Sequence, residues 1–439
     1  MSAVDHSPAA PFPAAPRRDT HKVAPGEIAI GVIIGRISEF FDFFVFGIAS
    51  VVVFPAVFFP FADPTTAMVY SFTVFSFAFI ARPIGSMLFR IIHQRYGRGT
   101  KLTAALFLLG TCTAGIAFLP GYADLGRGAI VLLSLLRFGQ GLAIGGSWDG
   151  LPSLLALNAP PNKRGWYAMI PQLGAPIGFL IAAALFAYLF TSLSPEDFDS
   201  WGWRYPFYVA FAINVVALFA RLRLVVTPEF TQLLKTRELE PSPLGELFRT
   251  QGANIAMGAF APLASYALFH LVTVFPLSWA LLFTKQSVGA ILLVQIIGAA
   301  IAIPCMIASG KVADRYGRRT TLAVCAVLIA IYSGWTPVLL SGSTTGGYLF
   351  IVLGFALLGF THAQAAGAVN SSFPSRYRYS GALLTSDLGW LAGAAFATLV
   401  ALELAAHFGV GYIGLYLLSG ALCTLAALRA NRSLEIRDE

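Results

Sequence analysis

Long apolar stretches alternate with short polar or basic ones along the whole chain. Uncharged runs at 102–120, 165–195, 250–284 and 286–310 each reach the roughly 20 residues that a helix needs to cross a hydrocarbon core. A further run, 320–375, has no Asp, Glu, Lys or Arg and is cut into two crossings by the loop SGSTTGG at 341–347. The pattern predicts twelve spans, near 27–54, 65–90, 101–120, 127–157, 165–191, 204–224, 252–283, 286–311, 319–340, 346–372, 379–403 and 407–428. An even number puts both ends of the chain on one side of the membrane.

One predicted span is unlike the others. Residues 35–47 read GRISEFFDFFVFG, so Arg36, Glu39 and Asp42 fall inside the first crossing at a spacing of three. That spacing stacks them on one helix face, which must meet protein or water, since ionisable groups in hydrocarbon are costly.

Composition fixes the class. The 439 residues are 57% hydrophobic and 11% charged, against about a quarter charged in soluble domains, and the mean hydropathy is +0.74. This is the composition of an integral membrane protein. The net charge of +8 could indicate nucleic acid, but its distribution does not. Apart from Arg36 and Arg137, Arg127, Arg204 and Lys285 lie on one side and the remaining basic residues, Arg82 and Arg221 among them, on the other, which the positive-inside rule reads as cytoplasmic. A multi-pass inner (plasma) membrane protein with both termini cytoplasmic is expected, without a nucleic-acid partner. The four cysteines all fall in predicted spans without disulfide or metal spacing. No nucleotide-binding loop, catalytic triad or metal-ligand cluster is visible. Neither an enzyme nor an ATP-driven pump is expected, and no cofactor or metal.

Residues 1–26 are Pro- and Ala-rich and read as a disordered cytoplasmic tail, and 429–439 as a second tail. The charged stretch 226–251 near the midpoint reads as a cytoplasmic linker between six-span halves, 27–225 and 252–428. The halves repeat: Arg95-Tyr96-Gly97-Arg98 recurs as Arg315-Tyr316-Gly317-Arg318, 220 residues later, and Lys163-Arg164-Gly165 is answered by the stretch from Arg376 to Gly381. Duplication implies a pseudo-twofold axis along the membrane normal, with the binding site between the halves.

Gly310-Lys311-Val312-Ala313-Asp314-Arg315-Tyr316-Gly317-Arg318-Arg319 resembles in full the loop between the second and third spans of each half of major facilitator superfamily transporters. Within that superfamily the chain is similar to the metabolite:proton symporters. The stretches that carry this are Glu39-Phe40-Phe41-Asp42-Phe43, Arg137-Phe138-Gly139-Gln140-Gly141 with Gly145-Gly146, residues Ala159 to Gly165, and residues Phe373 to Gly381. The resemblance implies an all-α membrane protein with twelve transmembrane helices in two pseudo-symmetric six-helix bundles. There are departures. Arg82-Pro83-Ile84-Gly85 matches the first-half loop, but Arg90 and Gln94 replace its usual Gly and Asp. Ser147 and Ser371 stand where Glu is usual.

The candidate chemistry follows. Glu39, Asp42, Asp149 and Asp387 are candidate proton carriers, because a carboxyl in a desolvated cavity can bind and release a proton as access alternates. A structural alternative stays open: Arg36 pairs with Glu39, and Asp42 is hydrogen-bonded to a neighbouring span. Arg36, about 14 Å along the helix from residue 27 at 1.5 Å per residue, and Arg137 could hold a carboxylate bidentately. The resemblance also allows Arg137 a scaffold role. Gln140, Gln172, Gln364, His270, His362, Tyr266 and Trp390 are further candidates for the binding cavity, with buried hydrogen bonding or packing as the alternative. Gly85, Gln94, Arg95, Arg98, Gly310, Asp314, Arg315, Arg318, Arg319, Arg376 and Arg378 are read as gate residues, with a weaker latch in the first half because Gln94 lacks a charge. The chain reads as a proton-coupled symporter of a small carboxylate-bearing or zwitterionic metabolite. Its expected partners are that solute, protons and membrane lipids, and a monomer is expected. A proton-driven exporter and a transporter-like solute sensor are the other readings.

Overall fold

A computed structural model describes residues 25–147, 152, 155, 159–225, 241–284, 286–370 and 373–430. Asp149, Ser371 and most of the charged linker, named above, lie outside these residues. Among the described residues every regular element is a helix.

The long helices are α1 (Pro25–Val52), α2 (64–96) and α3 (98–117), α4 (Arg127–Gly146), α5 (Arg164–Ser192), α6 (Tyr205–Val225) and α7 (244–283). They continue with α8 (Val288–Tyr316), α9 (Arg318–Gly342), α10 (Thr344–Asn370), α11 (378–408) and α12 (Ile413–Ala430). Among the described residues ten stretches are long and apolar enough to cross a membrane. One of them, Pro64–Ala117, has 54 residues and would be about 80 Å long if straight, so it makes two crossings, α2 and α3. With α1, whose apolar run is interrupted by Arg36, Glu39 and Asp42, the crossings are twelve.

The repeated Tyr-Gly-Arg sequence has a backbone cause. Gly97 and Gly317 adopt φ 85° and 88°, a region that side chains with a Cβ disfavour. Each ends one crossing and starts the next, so both hairpins turn at the same end of the molecule. Here this is called the arginine-rich end, since Arg95, Arg98, Arg315, Arg318, Arg164 and Arg378 all sit at helix ends there.

Helix pairing repeats as well. α2 packs on α4 as α8 packs on α10, α3 on α6 as α9 on α12, and α1 on α6 as α7 on α12. Among the described residues the halves meet where α5 lies against α8 and α10, where α2 lies against α11, and where α1 faces α7. The tightest pairing in the first half depends on glycine: a Cβ at Gly85 would run into the Leu142 carbonyl, and one at Gly145 into the Arg82 carbonyl. Gly85, read above as a gate residue, therefore brings α2 and α4 together within one half.

Charge ends an apolar run without ending a helix, and several expected boundaries move for that reason. α7 begins at Leu244, inside the stretch read as linker, and α8 continues to Tyr316, past the expected end at 311. The seventh crossing is broken near Pro262 and again at Val274, before Pro276, where proline removes a backbone donor and crowds the preceding turn. The eleventh is interrupted between Gly393 and Ala397.

Candidate functional site

A cavity opens between the halves, lined by Arg36, Glu39, Phe40 and Phe43 of α1, Ala78, Phe79 and Arg82 of α2, Ile144 of α4 and Trp390 of α11. α1 is fixed against α5 here because Gly174 and Gly178 lie against the Arg36, Phe40 and Phe41 backbone with no room for a Cβ. The helical spacing of three then turns Arg36 and Glu39 to the cavity. Arg36 Nη1 lies 2.8 Å from Glu39 Oε2, and its guanidinium sits 4.8 Å from the Phe40 ring centre. Glu39 is also held by Arg221 Nη2 of α6 at 2.8 Å and accepts a hydrogen bond from Ser147 Oγ at 3.1 Å. One carboxylate thus faces two guanidinium groups, and the buried Arg36 Nε has no hydrogen-bond partner among the described residues.

Asp42 takes a different direction. It is 2% exposed, away from the cavity lining, and accepts from Thr113 Oγ1 of α3 at 2.8 Å. Gln140 of α4 donates to Thr113 at 2.9 Å and reaches Asp42 Oδ2 at 3.5 Å, while its own carbonyl accepts from Arg137 Nη1 at 3.0 Å. Arg137 is fully buried, 3.9 Å from the Phe46 ring centre and in contact with the Phe75 ring and carbonyl. So the first-span triad divides: Arg36 and Glu39 line the cavity, whereas Asp42, Arg137 and Gln140 form a closed polar network inside the first half. The arrangement of the Arg36–Glu39 pair and of Asp42 is the one given above as the structural alternative.

Across the cavity, Arg82 Nε lies 2.6 Å from Asp387 Oδ1 of α11, and Ser86 Oγ donates to Asp387 Oδ2. Asp387 is fully buried, so this pair ties the two halves at cavity level. Arg82 and Arg221 were assigned by sequence to membrane orientation. A basic residue eight positions inside the expected span end at 90 was the available signal for Arg82, whereas nothing local marks Arg221 as a partner of Glu39.

The remaining candidates lie around this centre. Tyr266 stacks on Trp390 at 4.4 Å, and His362, whose Nδ1 is 3.1 Å from Ser265 Oγ, packs against the same indole. His270 is enclosed by Phe43, Phe75, Phe79 and Phe269, with neither ring nitrogen hydrogen-bonded among the described residues. Gln172 is buried within α5, outside the cavity lining.

At the arginine-rich end the halves touch through the α5–α8 seam. Asp314 accepts from the Gly165 backbone N at 2.6 Å and lies 3.3 Å from the Trp166 N, at the start of α5. Gln364 of α10 donates to the Gly165 carbonyl at 3.2 Å, and Gly310 lets the Trp166 backbone approach α8. Arg319 and Arg376 bind within their own half, to the Leu428 carbonyl and to Glu246. Gln94, Arg95 and Arg315 are exposed, and Arg98, Arg318 and Arg378 are half-buried.

Residues 37–386 match the family model of the Major Facilitator Superfamily. The chain is 37% identical over 411 residues to the Escherichia coli K12 inner membrane metabolite transport protein YhjE, covering 92% of this chain and 93% of that one. It is 27% identical to the shikimate transporter of the same organism, with the same coverage. A proline/betaine transporter of Salmonella typhimurium is 29% identical, over 84% of this chain and 75% of the relative. A crystal structure of D-xylose-proton symporter shares the fold, with a TM-score of 0.72 at 20% identity over 94% of this chain and 98% of that one. The chain belongs to the Major Facilitator Superfamily and is a membrane transport protein, not an enzyme.

Proposed function

We propose that this chain is a proton-coupled symporter that takes up a small organic acid or zwitterion by alternating access, from an inner membrane with both termini cytoplasmic. The observation that carries the substrate class is the charge in and behind the cavity wall. Arg36 and Arg82 both line the cavity, and among the described residues Arg36 pairs with Glu39 and Arg82 with Asp387. Arg36, with one buried nitrogen unpartnered among the described residues, is placed to receive an incoming carboxylate in the planar geometry that arginine prefers. Phe40, Phe43, Phe79 and Trp390 supply the apolar remainder of the wall, as small-molecule sites require. Relatives named for shikimate, proline and betaine carry cargo of this chemistry.

Uptake into proteoliposomes tests the reading. Radiolabelled shikimate and proline, as one acid and one zwitterion, are offered with and without an imposed pH gradient. Accumulation of at least one of them, driven by the gradient and abolished by a protonophore, is expected. Accumulation only against a counter-gradient of protons would indicate an exporter instead.

The gate reading yields a further expectation. Asp314 places a negative charge on the first backbone N–H groups of α5, where the helix dipole is positive, a geometry worth about 1–2 kcal/mol. Asp314→Asn should therefore open the arginine-rich end, changing the open-to-closed ratio about 5- to 30-fold. Spin-label distances between the halves measure it, and an unchanged distance distribution would remove Asp314 from the gate.

A further inference from the structure

Arg82 and Asp387 do two things at once. Arg82 belongs to the cavity wall, 14% exposed, and its charge is held by a carboxylate that is itself fully buried and supplied by the other half. Ser86, one turn further along α2, donates to the second oxygen of the same carboxylate, so α2 holds both oxygens of Asp387, one through the charge of Arg82 and one through a hydroxyl. The charged and titratable groups brought to Asp387 by the described residues are Arg82 from α2 and Tyr266 from α7.

The geometry points to Asp387 as an internal stand-in for cargo: in the empty protein it occupies Arg82, and a carboxylate entering the cavity takes Arg82 over and so unties α2 from α11. This rests on the carboxylate symport proposed above and deepens it by assigning Arg82 as a second cargo-recognition residue beside Arg36. Once Arg82 turns to cargo, Asp387 is left in a buried place without its cation. An isolated buried carboxylate is unfavourable enough that it takes up a proton instead. One proton then enters for each carboxylate bound, the proton going to Asp387 and the positive charge of Arg82 to the cargo. Binding, proton uptake and separation of the halves become a single event, because all three compete for one ion pair.

Three variants of the full-length protein test this: Asp387→Asn, Arg82→Gln, and the exchange Arg82→Asp with Asp387→Arg. Binding of shikimate and proline is followed by calorimetry in buffers of different ionisation enthalpy, which counts protons. The separation of the halves is followed by spin labels at Thr100 and Thr320, both exposed at the arginine-rich end of opposite halves. Wild-type protein should take up one proton per bound carboxylate. Asp387→Asn should bind about 5- to 30-fold more tightly, without proton uptake, and should widen the label distance before any cargo is added. Arg82→Gln should widen it equally but weaken binding by about tenfold or more. The exchange should restore the closed distance without restoring binding, which a loss of folding could not do. The proposal is overturned if Asp387→Asn weakens binding as Arg82→Gln does, or still takes up the proton, or leaves the label distance unchanged. If the wild-type protein binds neither probe, the symport reading fails, while the label distance in cargo-free Asp387→Asn still decides whether this pair holds the halves together.

Discussion

Replacing Arg36 with Gln is expected to reduce carboxylate uptake about 100-fold while leaving a folded protein. The size comes from what a guanidinium offers a carboxylate: charge-assisted hydrogen bonds worth about 1.5–3 kcal/mol each, of which the glutamine amide keeps at most a weak neutral one. The protein should survive because Glu39 is not stranded. Arg221 remains at 2.8 Å from its other oxygen, and Ser147 still donates to it, so removal of Arg36 leaves no unpaired buried charge. Arg36→Lys keeps the charge but not the planar fork, and should recover part of the activity, to within about tenfold of wild type. Initial rates in proteoliposomes over a range of substrate concentrations read the effect, with the elution profile in detergent as the check on folding. A rate for Arg36→Gln within threefold of wild type would place the cargo elsewhere.

Arg36 and Glu39 were legible in the sequence because the physics that exposes them is local. Two charges in an apolar run, one helical turn apart, must share a face, and that face must avoid lipid. Their companions were not legible for the same reason inverted. Arg221 stands 182 residues from Glu39 and Arg82 stands 305 from Asp387, and in each case the arginine lies near the end of a span, where a positive charge needs no partner to be explained. The rule that orients membrane proteins accounted for both too cheaply. The twelve crossings and the repeat at Gly97 and Gly317 could be read from run length and spacing. The ends of helices could not, since the stretch from Leu244 to Gln251 carries Glu246 and Arg249 yet winds as helix. His270 shows another limit. Its mid-span position suggested the binding cavity, but the four phenylalanines around it come from α1, α2 and α7, and only the fold could assemble them.

Asp42 and Arg137 look like site residues in sequence, and their burial leads to a different expectation. Arg137→Met should destabilise the protein by about 3–5 kcal/mol, the usual consequence of removing one partner from a buried ionic network and leaving the other charge uncompensated. Arg137 is fully buried, its guanidinium lies on the Phe46 ring and holds Gln140, and Gln140 in turn supports Thr113 and Asp42. Its loss frees Gln140 Oε1 and withdraws the positive charge nearest the Asp42 carboxylate. Adding Asp42→Asn to Arg137→Met removes the stranded charge while the amide oxygen still accepts from Thr113, so the double variant should regain most of the lost stability, as replacement of whole buried ion pairs commonly does. Unfolding midpoints in detergent for the two single variants and the double give the coupling between the sites. A strongly positive coupling makes this network a scaffold that holds α1, α3 and α4 in register beside the cavity. Additive losses would mean that Asp42 and Arg137 act independently, and would return Asp42 to the candidates for carrying the proton.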